Sequence, residues 1–261
     1  MSAAADWRVH GTSVIGYRHL QDRLPCQDAL EHRHTGTGLV LAVADGAGSA
    51  PRSEEGSRQV VALAVDAFTA VATPWADHPD VYARKKQLLD AFQRVRKTFL
   101  RWCGGDPAPY ATTLTVAVLA EGWLGQLSIG DGLVLLRTDG GGARGSYHLL
   151  PRPHVRSEYA NETVFVGSPG AVDHVRVDCV RDAGIDGVML STDGLTNALL
   201  KRTPAGPPLP HDAFVGHLFE RLGHPSYDPG EEERWLAAFL ASDQITRVTG
   251  DDKTLLWAIR T

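Results

Sequence analysis

The order of strand-like and helix-like segments constrains the fold of this chain more than any other feature. Short apolar segments that are rich in β-branched residues and bounded by Gly, Asp or Pro have the pattern of β-strands. They are RVHGTSVIGY, GLVLAVAD, TTLTVAVLA, WLGQLSIGD, LVLLRT, YHLLP, VRVDCV, GVMLSTD and KTLLWAI. Helical patterns occur at 51–71, 81–102 and 231–242, and the first two stand together between strands. Because a long run of strands follows without alternating helices, the sequence predicts an α+β fold with antiparallel sheets.

Composition narrows the functional classes. The 261 residues are 43% hydrophobic, which is enough for a sizeable core, and the formal net charge of −5 disfavours nucleic acid or an anionic membrane as a partner. Cys26, Cys103 and Cys179 form no CxxC pair, so we interpret them as reduced thiols of a cytoplasmic protein. No signal pattern or apolar run long enough to span a membrane is present. The basic face of residues 84–101 is interpreted as a solvated helix face.

Asp-Gly pairs are the second informative feature. Five occur in the chain. The pairs at Asp139 and Asp186 are interpreted as turns, whereas those at Asp45, Asp131 and Asp193 each end an apolar strand. A further acidic cluster, Asp251 and Asp252, begins the last strand segment.

Carboxylates beside a hydrophobic core are costly unless they are paired or bind a metal ion. Basic residues are scarce near these strand ends. If the strand ends converge, divalent cations would neutralise the cluster, and oxygen ligands favour Mg²⁺ or Mn²⁺ over zinc. The spacing alone leaves convergence and independent turns both open.

Six motifs occur in an order that resembles a known family. They are DRLPCQDAL, VADGAGSA, YATTLTVAVL, LSIGDG, MLSTDGLTN and GDDKTLLWAI. Together they resemble the metal-dependent protein serine/threonine phosphatases of type 2C, the PPM family, in a compact bacterial form. The resemblance implies a four-layer α/β/β/α sandwich, with two antiparallel sheets flanked by helices, and a single catalytic domain over residues 1–261.

The resemblance also implies a centre with two Mn²⁺ or Mg²⁺ ions. Asp45 would bridge both ions, helped by the backbone carbonyl of Gly46. Asp193 and Asp252 would complete the first metal site. Asp131, together with Asp193, would serve a third, weaker site. The ions would supply hydroxide near neutral pH for attack on a phosphomonoester.

The phosphate-binding arginine of the family corresponds to Arg23, five residues before Asp28. Its planar guanidinium group would donate hydrogen bonds to the phosphate oxygens. Arg18 lies five residues earlier and is an alternative for this role.

Three positions depart from the family motifs. The acidic metal ligand before Asp28 is Gln27 in this chain, so the second metal would be bound mostly through waters, which Asp28 would orient. The histidine that many members carry after the bridging Asp is Ala47, which leaves the general acid unassigned. The Asn of the closing motif is Lys253.

Two functions from different classes remain open. The first is an active phosphoserine/phosphothreonine phosphatase that is monomeric and opposes a bacterial Ser/Thr kinase. The second is a non-catalytic module that binds a phosphoprotein or a regulator. The departures from the family motifs at Gln27 and Ala47 are consistent with this second function. The segment 140–169, which corresponds to the family's flap beside the cleft, is expected to be a mobile loop that shapes substrate choice.

Overall fold

The computed structural model describes residues 7–36, 38–139, 145–151, 163–203 and 206–261. They divide into two compact units, and each unit is assembled from separate stretches of the chain. The first unit takes the described residues of 27–132 and 151–183. The second takes those of 5–26, 133–150 and 184–261. Each unit holds one five-stranded antiparallel sheet with its own helices, which confirms the α+β fold with two antiparallel sheets flanked by helices.

The helices and strands have the following bounds in the described residues. The strands are β1 (Trp7–Val14), β2 (Ala29–His34), β3 (Gly38–Ala44), β4 (Leu114–Ala120), β5 (Trp123–Ile129), β6 (Leu133–Thr138), β7 (Ser146–Leu149), β8 (Arg176–Val180), β9 (Ile185–Ser191), β10 (Leu200–Lys201), β11 (Leu209–Pro210) and β12 (Lys253–Arg260). The helices are α1 (Tyr17–Asp22), α2 (Ser53–Thr69), α3 (Val81–Trp102), α4 (Thr196–Leu199), α5 (Asp212–Gly223), α6 (Pro229–Leu240) and α7 (Asp243–Thr246).

The first unit is a sheet in the order β2-β3-β4-β5-β8, covered by α2 and α3. The two helices bury one apolar face each, and Phe68, Phe92 and Phe99 lie fully buried in this core. The helix α2 begins where Glu54 and Glu55 complement the positive helix end, and α3 begins at Asp80, whose side chain accepts a hydrogen bond from the backbone N–H of Tyr82.

The second unit is a sheet in the order β1-β12-β9-β6-β7, with α5 and α6 packed on it. Its core is built around Trp257, which is fully buried among leucines from the helices. The Trp257 indole N–H donates a hydrogen bond to the Leu218 carbonyl, so its one polar atom is satisfied inside the core.

Two interpretations made from the sequence are corrected here. Asp186 does not form a turn before its strand but lies within β9 as a bulge, because Gly187 pairs with Arg137 while Ile185 pairs with Thr138. Its carboxylate lies 3.0 Å from the Arg137 guanidinium, and burial raises the pKa of Asp186. The predicted flap is not irregular throughout, since it contains β7 and the fully buried Val166. The remainder of that prediction, at 140–144 and 152–162, lies outside the described residues.

Candidate active site

One end of the first unit's sheet gathers three of the predicted acidic residues. Ala29 of β2 pairs with Ala44 of β3, so Asp28 and Asp45 come next, side by side, past the end of this ladder. Leu114 of β4 pairs with Ile129 of β5, and Asp131 follows β5 at the same end. The strand order therefore places the residues that flank these strands at one end of the sheet.

The main chain of Asp45 is held by two threonines that precede β4. The Asp45 N–H donates to Thr113 Oγ1 at 2.9 Å, and its carbonyl accepts from Thr113 N–H at 2.8 Å and from Thr112 Oγ1 at 3.0 Å. These bonds use only the backbone of Asp45. The turn at Asp45 is therefore fixed through its main chain.

Close packing of neighbouring main-chain segments requires a glycine at position 46. A Cβ at this position would stand 2.8 Å from the Gln27 carbonyl oxygen and 2.8 Å from both Cβ and the carbonyl oxygen of Ser53. The Gly46 N–H donates to the same Gln27 oxygen at 3.1 Å. The close approach of three backbone segments, in addition to any ion, explains why the strand ends on Asp-Gly.

Asp45 and Asp131 offer carboxylate oxygens that lie within 4.8 Å of one another. Both residues are half-buried. Gly130, which precedes Asp131, has a φ of +98° and passes directly over the Thr113 side chain. Two carboxylates this close repel each other, and a divalent cation with oxygen ligands relieves that repulsion. The donor set in this unit therefore fits Mg²⁺ or Mn²⁺.

The main chain beside Asp193 approaches that of Asp252 closely in the second unit, at a glycine. Asp193 begins a single 3₁₀ turn directly after β9, and Gly194 follows it. A Cβ on Gly194 would stand 1.9 Å from the carbonyl oxygen of Asp252, so the turn touches the residue that precedes β12. Only glycine permits this approach of the two main-chain segments.

The Asp252 carboxylate is held on both oxygens. The Gly16 N–H donates to Oδ1 at 2.6 Å, and His19 Nδ1 lies 2.9 Å from Oδ2 in an approach too bent for a good hydrogen bond. Asp252 is 3% exposed and His19 is 14% exposed. A buried carboxylate oriented in this way by an imidazole and a main-chain amide has the arrangement often found around metal ligands.

Lys253 occupies an unusual position for a lysine. It begins β12 directly after Asp252 and is 1% exposed. A buried ammonium is tolerated only with polar or charged partners, and Lys253 does have such interactions. The departure from the family motif therefore places a buried lysine next in sequence to a predicted metal ligand.

The predicted phosphate-binding residues lie at and near helix α1. Arg23 is exposed, ends α1 with a φ of 57° in the left-handed region, and its guanidinium makes no hydrogen bond or ion pair within the described residues. The alternative, Arg18, is also exposed, and its backbone N–H donates to the Gly250 carbonyl at 3.2 Å. Gln27, which replaces the family's acidic ligand, is buried, as is Asp28. The Ala47 N–H donates to the Ala111 carbonyl at 2.9 Å.

Sequence reasoning missed the residues that support the predicted ligands. Thr112 and Thr113 stand in a motif that was recognised, but nothing in the sequence indicates that they bind the Asp45 backbone. His19 is separated from Asp252 by most of the chain, and no local pattern connects them. The pairing of β1 with β12, from Trp7–Arg260 to Val14–Lys253, brings the two segments together.

Comparison with known proteins gives a consistent family. The family model described as protein phosphatase 2C matches residues 15–241. Serine/threonine-protein phosphatase 3 of Escherichia coli K12 is 28% identical over 265 residues, which cover 97% of this chain and 99% of that protein.

Solved structures show a similar fold at low identity. A bacterial serine phosphatase aligns with a TM-score of 0.67 and 15% identity over 98% of each chain. The serine/threonine phosphatase Stp1 of Staphylococcus aureus aligns with a TM-score of 0.64 and 16% identity, over all of this chain and 98% of that one. The serine-threonine phosphatase 2C of Toxoplasma gondii aligns with a TM-score of 0.65 and 14% identity, over all of this chain and 96% of that one. Separately, among the described residues no helix is both long and apolar enough to cross a membrane.

Proposed function

The chain belongs to the protein phosphatase 2C family, and we propose that it removes phosphate from phosphoserine and phosphothreonine in proteins at a centre of two divalent metal ions. It is an enzyme of the protein serine/threonine phosphatase class, so its substrates are phosphoproteins. When bound, Mn²⁺ or Mg²⁺ would neutralise the phosphate dianion and provide hydroxide near neutral pH.

The metal ligands in this proposal would be Asp45, with the Gly46 carbonyl, Asp131, Asp193 and Asp252. The observation that carries the proposal is the pair of carboxylates at Asp45 and Asp131, whose oxygens lie within 4.8 Å of one another. A module that only binds phosphoproteins has no use for this repulsive pair.

The remaining residues of the site have supporting roles in the proposal. Buried Asp28, beside Asp45 at the sheet edge, would orient water molecules around the second ion, because Gln27 carries no charge. Arg23 would hold the phosphate oxygens through its guanidinium, which no described carboxylate neutralises. Arg18 remains the alternative for this binding role.

Lys253 is the observation that favours the second candidate, a non-catalytic binding module. Its buried side chain follows Asp252 in sequence and would supply positive charge without a metal ion. In a non-catalytic module this charge would replace a cation. In the enzyme it would lower metal affinity and leave the centre dependent on a sufficient metal concentration.

The wider setting is part of the same proposal. We take the substrate to be a target of a bacterial Ser/Thr kinase, the protein to be monomeric, and residues 1–261 to act as one catalytic domain. The family match runs through both units, whose segments alternate along the chain. Cys26, Cys103 and Cys179 form no disulfide in the described part of the chain, in keeping with a cytoplasmic location.

The test is hydrolysis of p-nitrophenyl phosphate and of a phosphothreonine peptide with Mn²⁺, with Mg²⁺ and with EDTA. Wild type is compared with Asp193→Asn, which keeps the side-chain volume and removes the charge. Activity that requires metal and is lost in the variant supports the phosphatase. A folded wild-type protein without turnover under any metal would instead support the binding module.

A further inference from the structure

The C-terminal part of α3 borders an open pocket of about 720 Å³ in the first unit. Three cations line it, Arg96, Lys97 and Arg101, and among the described residues no acidic side chain does. Leu100 and Val172 provide apolar surface for a ligand. Its volume lies within the range of about 300–1,000 Å³ found for ligand sites. A plain solvated helix face does not require such a concave shape.

The positive charge of this pocket is not neutralised within the described part of the chain. None of the three cations takes part in an ion pair there. The first half of the same helix differs, because Lys86 pairs with Asp90 at 2.5 Å and Lys85 with Asp178 at 3.8 Å. The pocket therefore retains an unbalanced charge of about three, which favours an anionic ligand.

Arg96 is held in place before any ligand arrives. Its Nε donates to the Val166 carbonyl at 3.1 Å and its Nη2 to the Ser168 carbonyl at 3.0 Å. These acceptors are neutral, so the guanidinium keeps its charge while losing little further freedom on binding. Lys97 and Arg101 are exposed, and Arg101 makes only two contacts of 3.4 Å with its own helix. They are free to adjust to a ligand.

The pocket is connected to the Asp45 turn through a short series of hydrogen bonds. Arg96 binds the Val166 carbonyl, and the Val166 N–H donates to the Thr112 carbonyl at 2.9 Å. Thr112 in turn donates through Oγ1 to the Asp45 carbonyl at 3.0 Å. One buried residue, Val166, therefore separates the arginine from the threonine that supports Asp45.

We propose that this pocket binds an acidic segment of the phosphoprotein substrate. The proposal rests on the proposed phosphatase function and adds a preference for substrates with Asp or Glu near the phosphorylated residue. An extended peptide covers about 3.3 Å per residue, so a few residues are enough to reach from the Asp45 turn to a neighbouring pocket. Gly104 and Gly105, which end the helix, leave open space where side chains would otherwise stand.

The experiment uses phosphothreonine peptides that carry six Glu on the N-terminal side, six Glu on the C-terminal side, or Gln at both places. Wild type is compared with Arg101→Glu, with Lys97→Glu/Arg101→Glu, and with Arg94→Glu, which reverses an exposed charge on the same helix outside the pocket. We expect wild type to prefer one Glu peptide. Arg101→Glu should reduce its kcat/KM about fivefold and the double variant about twentyfold. Hydrolysis of p-nitrophenyl phosphate and of the Gln peptide should not change.

Binding is measured separately from turnover by fluorescence anisotropy of the unphosphorylated Glu peptides. Affinity should fall with added salt and be lost in the double variant. Equal kcat/KM for Glu and Gln peptides, or an equal loss in Arg94→Glu, would overturn the inference while leaving the phosphatase function intact. If wild type hydrolyses nothing, the proposed function fails. Binding of a Glu peptide that depends on Arg101 would still support the pocket.

Discussion

The contact between Gly194 and Asp252 is the most sensitive point in the second unit, and Gly194→Ala tests it. The added Cβ would lie 1.9 Å from the Asp252 carbonyl oxygen, whereas real Cβ atoms essentially never approach a neighbour closer than 3.0 Å. The turn and the head of β12 must therefore separate by about 1.1 Å, the difference between these distances. The obstacle is backbone, so no side-chain rotation can relieve it.

Two effects are expected from this displacement. Overpacking of a buried contact costs about 1–3 kcal/mol, and we expect the upper end of that range for the free energy of unfolding. Mn²⁺ affinity should fall about tenfold or more, because Asp193 and Asp252 move apart and metal sites tolerate only a few tenths of an ångström. Urea unfolding followed by tryptophan fluorescence measures the first effect, and calorimetric titration with Mn²⁺ measures the second.

Gly48→Ala is the matched control. Its Cβ would have a single neighbour, at 3.9 Å, and its φ is ordinary, so stability and metal affinity should stay at wild-type values. Wild-type stability and Mn²⁺ affinity in Gly194→Ala would refute the reasoning. That result would mean that the two ligands are not positioned by this glycine.

Four further changes follow from the structure. His19→Ala should weaken Mn²⁺ binding about tenfold, because Asp252 loses the imidazole that lies 2.9 Å from its Oδ2. Lys253→Asn, which introduces the family's residue, should strengthen Mn²⁺ binding by removing a buried positive charge; both are measured by calorimetry. Arg23→Gly should raise the free energy of unfolding by about 0.5–1 kcal/mol, since glycine adopts a φ of 57° without steric cost, and should weaken inhibition by inorganic phosphate. Burial lowers the pKa of His10 below its usual 6.5, so protonation favours the unfolded state and stability should fall as the pH drops below about 6.5. Urea unfolding at pH 7.5 and 5.5 measures this effect, and the free energy of unfolding should fall less between the two pH values in His10→Gln than in wild type.

Each of these predictions has an outcome that contradicts it. For the metal measurements, the exposed His34→Ala is the control, and an equal loss there would exclude a specific role for His19. Unchanged metal affinity in Lys253→Asn would mean that the ammonium does not compete with the ions. Lower stability in Arg23→Gly would mean that other interactions of Arg23 outweigh its backbone strain. An unchanged pH response in His10→Gln would assign the acid sensitivity to other groups.

The periodic parts of the chain could be predicted from the sequence because burial leaves a regular pattern. The helix predicted at 81–102 agrees with α3, and LVLLRT agrees with β6. The pattern fails where burial is weak or a neighbouring signal dominates. β2 was missed because it is an exposed edge strand with charged residues, and α5 was missed although Val215, Leu218, Phe219 and Leu222 have helical spacing. The Pro-rich segment before α5 directed the interpretation towards a loop.

The candidate site could be predicted only as separate pieces. Each Asp-Gly pair indicates the end of a strand, but strand order decides which ends are neighbours, and no local pattern contains that order. Asp45 and Asp131 meet because β3, β4 and β5 are adjacent. Asp186 also stands in an Asp-Gly pair, yet it lies in a bulge within β9, and its carboxylate lies 3.0 Å from the Arg137 guanidinium.

The pairing of β1 with β12 has a consequence for biosynthesis. Trp7 pairs with Arg260, so the first strand of the second sheet finds its neighbour only after the last strand has left the ribosome. All residues of the first unit have been synthesised once the chain reaches Ala183. This unit can therefore fold before β1 has a partner strand. The contact of His19 with Asp252 forms in that final step. A nascent chain therefore lacks the contact between His19 and Asp252 until that part of the chain has been synthesised, and we expect a chain truncated before Asp252 to show no phosphatase activity.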